Sequence, residues 1–101
     1  MPRKRIKYSE KSENRLRKLT PIYMVTQYVQ CCVLEYPFSG YFKKHNNGVL
    51  EPLVYDFDDH NGIYEEWVLR PITDTTIGTC IAWTFYRENA ENIASKFNNE
   101  R

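Results

Sequence analysis

The sequence predicts an α+β domain: a small antiparallel β-meander packed by one C-terminal α-helix, preceded by a basic N-terminal arm. Three observations carry this. Leu53, Tyr55 and Phe57 alternate with smaller or charged residues, the period of a strand with one buried face. Asn61-Gly62, after Asp58-Asp59-His60, supplies the positive φ angles of a tight reversal, so the chain should return as a hairpin. Ala90, Ile93, Ala94 and Phe97 fall at i, i+3, i+4 and i+7, one stripe of a short amphipathic helix.

Residues 1–18 contain few apolar side chains, only Ile6, Tyr8 and Leu16 after the initiator, and cannot bury enough surface to offset their ordering entropy. They read as a basic, mobile arm ahead of a single domain over 19–101. From Thr20 to Tyr36 two patterns compete. Thr20-Pro21 suits a helix start, and Val25, Tyr28, Val29, Cys32, Val33 and Tyr36 share a helical face. The abundance of Val, Tyr, Thr, Ile and Cys favours extended structure instead, and propensity tips the segment to strand. Pro37 and Gly40 are expected to end it.

The loop from Glu35 to His45 is the most aromatic in the chain, with Tyr41 and Phe42 beside Lys43 and Lys44. Rings folded into the core at a turn account for it, as would bases stacked on rings with ammonium groups at phosphates. Asn47-Gly48 repeats the hairpin signal. Beyond the strand at Leu53–Phe57, Trp67 and Leu69 should face the same side as its aromatics, and Pro71 marks where pairing stops. The polar stretch from Thr73 to Thr79 leads to a third strand, Cys80 to Tyr86, in which Ile81, Trp83 and Phe85 alternate. That strand should continue the meander. The helix then closes over the apolar face with Phe97 as part of the core.

One hydrophobic core suits 101 residues of which 42% are hydrophobic. Aromatics make up 15%, so much of the burial must come from large rings with polar tips, which also suit binding surfaces. No apolar run approaches the ~20 residues of a membrane helix, and the N-terminus lacks the apolar core of a secretory signal. A cytoplasmic protein without membrane contact is the expectation. The three cysteines, Cys31, Cys32 and Cys80, cannot all pair within the chain and include no C-x-x-C; they read as small apolar residues in a reducing compartment. The net charge of +1 hides a division. Residues 1–18 hold eight basic and two acidic side chains, a balance of +6; the rest hold six basic and eleven acidic, a balance of −5.

Catalytic chemistry is not encoded in any recognisable spacing. No P-loop or G-x-G-x-x-G is present, and no glycine elbow is placed at a cysteine. Glu65 and Glu66 are adjacent, and neighbours on a strand point to opposite faces, which argues against a carboxylate pair. The segment from Asp56 to Gly62 is rich in ligand-type residues, but a calcium loop counted from Asp56 would place Asn61 at the sixth position and Trp67 at the twelfth, where glycine and glutamate are required. A polar hairpin turn explains the same residues. No metal and no cofactor are expected, and the chain reads as a non-enzyme.

The C-terminal stretch Ile81-Ala82-Trp83-Thr84-Phe85-Tyr86-Arg87-Glu88-Asn89-Ala90-Glu91-Asn92-Ile93-Ala94, continuing to Asn98, resembles the ending of short bacteriophage accessory proteins of unassigned role: a strand, an acidic turn and an Ala-x-x-Ile-Ala helix. It covers about a third of the chain, and its physical content is a strand-to-helix packing module. The resemblance implies a phage protein acting on host machinery. The leading expectation is a binding protein that engages and inhibits a host factor, such as a defence or nucleic-acid-processing complex, through Asp58, Asp59, Glu65, Glu66, Tyr41 and Phe42. An acidic body of this kind could imitate phosphate to a basic partner. A second expectation is a nucleic-acid-binding accessory protein using Arg3, Lys4, Arg5, Lys7, Lys43 and Lys44. A third is a sponge for a nucleotide signal, with rings stacking on bases.

Overall fold

The computed structural model describes residues 18–100, the side chain of Glu65 excepted. Arg3, Lys4, Arg5, Lys7 and the rest of the basic arm before Lys18 lie outside the described residues. Five strands follow: β1 (Pro21–Gln27), β2 (Cys31–Lys44), β3 (Leu50–Asp59), β4 (Glu65–Pro71) and β5 (Thr79–Thr84), with a 3-10 turn at Ile72–Asp74 and a helix α1 (Arg87–Asn99). They form one antiparallel sheet in the order β4-β3-β2-β1-β5. The α+β class and the C-terminal helix agree with the sequence reading. The meander is the run β1 to β4, however, and β5 crosses back to pair with β1 instead of extending it beyond β4.

The ambiguous segment from Thr20 to Tyr36 is a hairpin of two strands. Propensity prevails over the helical stripe: Tyr28, which a helix would have turned inward, is 80% exposed in the reversal at residues 28–30. β2 is not ended by Pro37 and Gly40. Pro37 sits opposite Pro21, where neither residue has an N–H to give the ladder, and the strand runs on to Lys44. Its register to β3 shifts between Phe38 and Phe42, and Gly40 takes φ +87° inside that irregularity. A glycine-bearing bulge bends the strand, so its first half pairs with β1 and its second half with β3.

The bend creates two apolar layers. β1 is buried on both faces. Ile22 and Met24 point to one side with Val54 and Ile72, ringed by the half-buried Tyr36, Phe38, Cys80 and Phe85. Tyr23 and Val25 point to the other, where they meet Cys31 and the helix residues Ala90 and Ala94. Small residues on the helix stripe let it lie close to the sheet, and Ile93 fills the margin. Phe97 does not join this core; it is 42% exposed. The end of the helix is instead fastened by Asn98, whose Oδ1 accepts the Cys31 N–H at 2.8 Å and whose Nδ2 donates to the Cys31 carbonyl at 3.0 Å. At the start of the helix the Arg87 guanidinium reaches Glu35 at 2.9 Å and lies 5.1 Å from the Tyr23 ring centroid.

The crossover to β5 passes close against β1. Gly78 has φ +98°, and a Cβ there would stand 2.7 Å from the Gln27 carbonyl oxygen, so only glycine fits without a shift. Of the cysteines, all free, Cys31 is buried and Cys80 half-buried, whereas Cys32 is exposed. Burial pushes the Cys80 thiol up from its ordinary value, and the backbone hydrogen bond to Ala82 only partly offsets this. No helix among the described residues is long and apolar enough to cross a membrane.

Candidate functional site

The site is built on the β3–β4 hairpin, which both hairpin signals in the sequence help to position. At the His60–Ile63 reversal Asn61 and Gly62 adopt φ 56° and 77°, the mirror-image turn that Asn-Gly favours, closed by Ile63 N–H to the His60 carbonyl at 3.0 Å. Asp59 Oδ1 accepts the Gly62 N–H at 2.9 Å. At the other end of β3 the His45–Gly48 turn places Gly48 at φ 86°.

Alternation along β3 assigns its faces opposite to the sequence expectation. Pro52 and Val54 are the fully buried residues, so the even-numbered positions face the interior. Leu53, Tyr55 and Phe57 face outward, where the register sets them across from Pro71, Leu69 and Trp67. Trp67 and Leu69 do share a side with the β3 aromatics, as expected, and the Phe57 and Trp67 rings meet edge to face at 5.4 Å. That side is the outer one: Phe57 is 38% and Leu69 46% exposed.

Beyond Val54 the inner face turns polar. Asp56 and Asp58 continue its alternation, facing Val68 and Glu66 across the ladder, and Arg70 lies opposite Val54. Arg70 Nη2 is 3.0 Å from Asp58 Oδ2, and its Nε is 3.7 Å from Asp56 Oδ2. Burial raises the Asp56 pKa from its ordinary value, against the lowering effects of the Phe57 N–H and of Arg70. His60 brings its Nε2 to 2.9 Å from Glu66 Oε1 and 3.2 Å from Asp58 Oδ2. Its ring stacks on Tyr64, with centroids 4.1 Å apart and planes 21° from parallel. Asp58, His60 and Glu66 thus present one N and two O donors within 4.8 Å of one another.

The sequence-predicted residues divide between two places. Asp58 and Glu66 converge on His60 and are half-buried. Asp59 is exposed and serves the turn, with Glu65 opposite it in the ladder. Tyr41 and Phe42 belong to the far half of β2, where Phe42 pairs with Pro52. The path along β3 from Pro52 to Asp58 spans about 20 Å, so these aromatics do not share a patch with the carboxylates. Instead Phe42 joins a row of rings: Phe42 to Phe38 at 5.3 Å, Phe38 to Phe85 at 5.1 Å and Phe85 to Trp83 at 5.9 Å. Lys43 and Lys44 are exposed beside it. Phe57 and Trp67, for which alternation predicts the core, stand on the opposite face of these strands from Asp58 and Glu66.

The spacing that follows Asp56 rules out only a contiguous calcium-binding loop. Glu66 enters the cluster through strand register, and the one local clue was its near-symmetric placement with Asp58 about the Asn61-Gly62 turn. No family model, curated protein or solved structure matches the chain.

Proposed function

We propose that the protein is a non-enzymatic binding module that engages another protein through the outer face of the β3–β4 hairpin. The observation that carries this is the row of cross-strand pairs Leu53–Pro71, Tyr55–Leu69 and Phe57–Trp67 on the side of the sheet away from the interior, with Phe57 and Leu69 more than a third exposed. A contiguous apolar strip of this kind, rimmed by Asp59 and other polar groups, has the composition of an interface core and its rim. Inhibition of a host factor by a phage-encoded protein is the narrower form of this reading, and it draws only on the resemblance of the C-terminal segment.

The test is capture from a lysate of the source cells, with and without nuclease, by wild type and by Phe57→Ser/Leu69→Ser. The expected result is a protein retained by wild type after nuclease treatment and lost by the variant, whose circular dichroism is unchanged. Equal capture by both proteins overturns the assignment to this face. Capture abolished by nuclease favours the second reading, nucleic-acid binding, for which the specific observation is the ring row from Phe42 to Trp83 flanked by Lys43 and Lys44.

A further inference from the structure

We propose that Asp58, His60 and Glu66 bind one divalent transition-metal ion of the Zn2+ class at the tip of the β3–β4 hairpin. Asp58 and Glu66 are directly opposed across an antiparallel ladder and on one face, and like charges so placed repel. Asp56 adds a third carboxylate on that face, while Arg70 is the cation that the ladder sets among them. His60 is held beside the pair by main chain and ring together: its N–H donates to the Tyr64 carbonyl at 2.9 Å, and its imidazole stacks on the Tyr64 ring.

Donor spacing fits an ion better than a proton. Imidazole Nε2 carries at most one hydrogen, which makes one well-directed hydrogen bond, yet two carboxylate oxygens stand at 2.9 and 3.2 Å from it. Two donors each about 2.1 Å from a common ion are about 3.0 Å apart at a right angle and about 3.4 Å apart in a tetrahedron. The two N–O separations are close to that range, and the two carboxylate oxygens lie within 4.8 Å of each other. Arg70 and His60 both contact Asp58 Oδ2, leaving Asp58 its second oxygen to adjust.

The chemistry of the set chooses the ion class. One imidazole with two carboxylates and no thiolate is a borderline N/O environment, suited to Zn2+ and its first-row neighbours; Ca2+ and Mg2+ prefer oxygen-only sites with more ligands. Three protein donors leave a coordination position for water or for a group from a partner. The site stands apart from the outer apolar face, on the opposite side of the same strands, so its failure would leave the proposed interface untouched.

The experiment is calorimetric titration of the full chain with Zn2+, alongside the visible absorption of Co2+, whose bands report coordination number. One equivalent should bind. His60→Gln and Glu66→Gln should each weaken binding by at least about 10-fold, the scale on which even outer-shell changes act, and should remove the Co2+ bands. His45→Gln, at the other histidine, should leave both readouts unchanged, and the metal-free melting of His60→Gln and Glu66→Gln should stay close to wild type. Ca2+ should not compete at equal concentration. A stoichiometry other than one, or equal affinity in wild type and His60→Gln, would show scattered surface binding and overturn the site.

Discussion

Asn98 shows how much a single polar residue can decide. Its carboxamide pairs with both backbone groups of Cys31, a buried residue at the start of β2, and so ties the last turn of α1 to the sheet. Removing it leaves a donor and an acceptor unpaired, so Asn98→Ala should destabilise by about 1–3 kcal/mol in urea denaturation; a loss near zero would mean water replaces the clamp freely. Glu51 offers a second test at this scale. Burial pushes its carboxyl up, but the hydroxyl and N–H of Thr73 together with His45 outweigh that and hold it below its ordinary value of 4.5. A carboxyl depressed in the folded state adds stability above its unfolded pKa and loses it as pH falls through the folded value. Thr73→Val should therefore cost most near neutrality, and the gap to wild type should narrow as pH drops below about 4.5. A gap that is constant with pH would detach Thr73 from the Glu51 carboxylate.

Among the elements, α1 is the one whose packing departs most usefully from its sequence stripe. Ala90 is fully buried and Ala94 nearly so, while Phe97 at the same stripe is partly in solvent. Phe97→Ala should thus cost about 1–2 kcal/mol, below the 3–5 of a fully buried ring. Ala90→Leu, which forces extra volume against Tyr23 and Val25, should cost about 1–3 kcal/mol. Thermal unfolding in which Phe97→Ala is the more damaging by a wide margin would reverse this view of the helix. The contrast also marks what the sequence discloses. Asn47-Gly48 and Asn61-Gly62 announced their hairpins because turn geometry is local and needs particular residues. The reversal at Tyr28-Val29-Gln30 has no such residues and went unseen. Which face of β3 is buried was equally hidden, since Val54 and Pro52 on one side and Leu53, Tyr55 and Phe57 on the other are all apolar. The irregularity in β2 that bends the sheet lies directly across the ladder from Pro52 and Val54, the two residues that are buried.

For the whole molecule the open question is how its charge is used. The acidic excess expected of the body is partly consumed internally, because Asp58 and Glu66 face His60 and Arg70, and Glu51 faces His45 and Thr73. Of the candidate site, Asp58 and His60 were legible as neighbours in one turn. Their junction with Glu66, and the separation of Tyr41 and Phe42 from all three, required the register. Those carboxylates are therefore engaged within the hairpin, and the proposed protein interface is the apolar outer strip. Deletion of residues 1–18, which removes a net charge of +6, then discriminates between the two modes of binding. If the hairpin face carries recognition, the truncated chain keeps its partner within a few-fold, and affinity changes little with salt. If the arm carries it through phosphates, truncation abolishes binding, and the full chain loses affinity steeply as salt rises, with a slope set by the phosphates neutralised. The first result is expected, because rings already fixed on a sheet lose little entropy on docking. A truncated protein with native circular dichroism that no longer captures its partner would transfer the function to the arm.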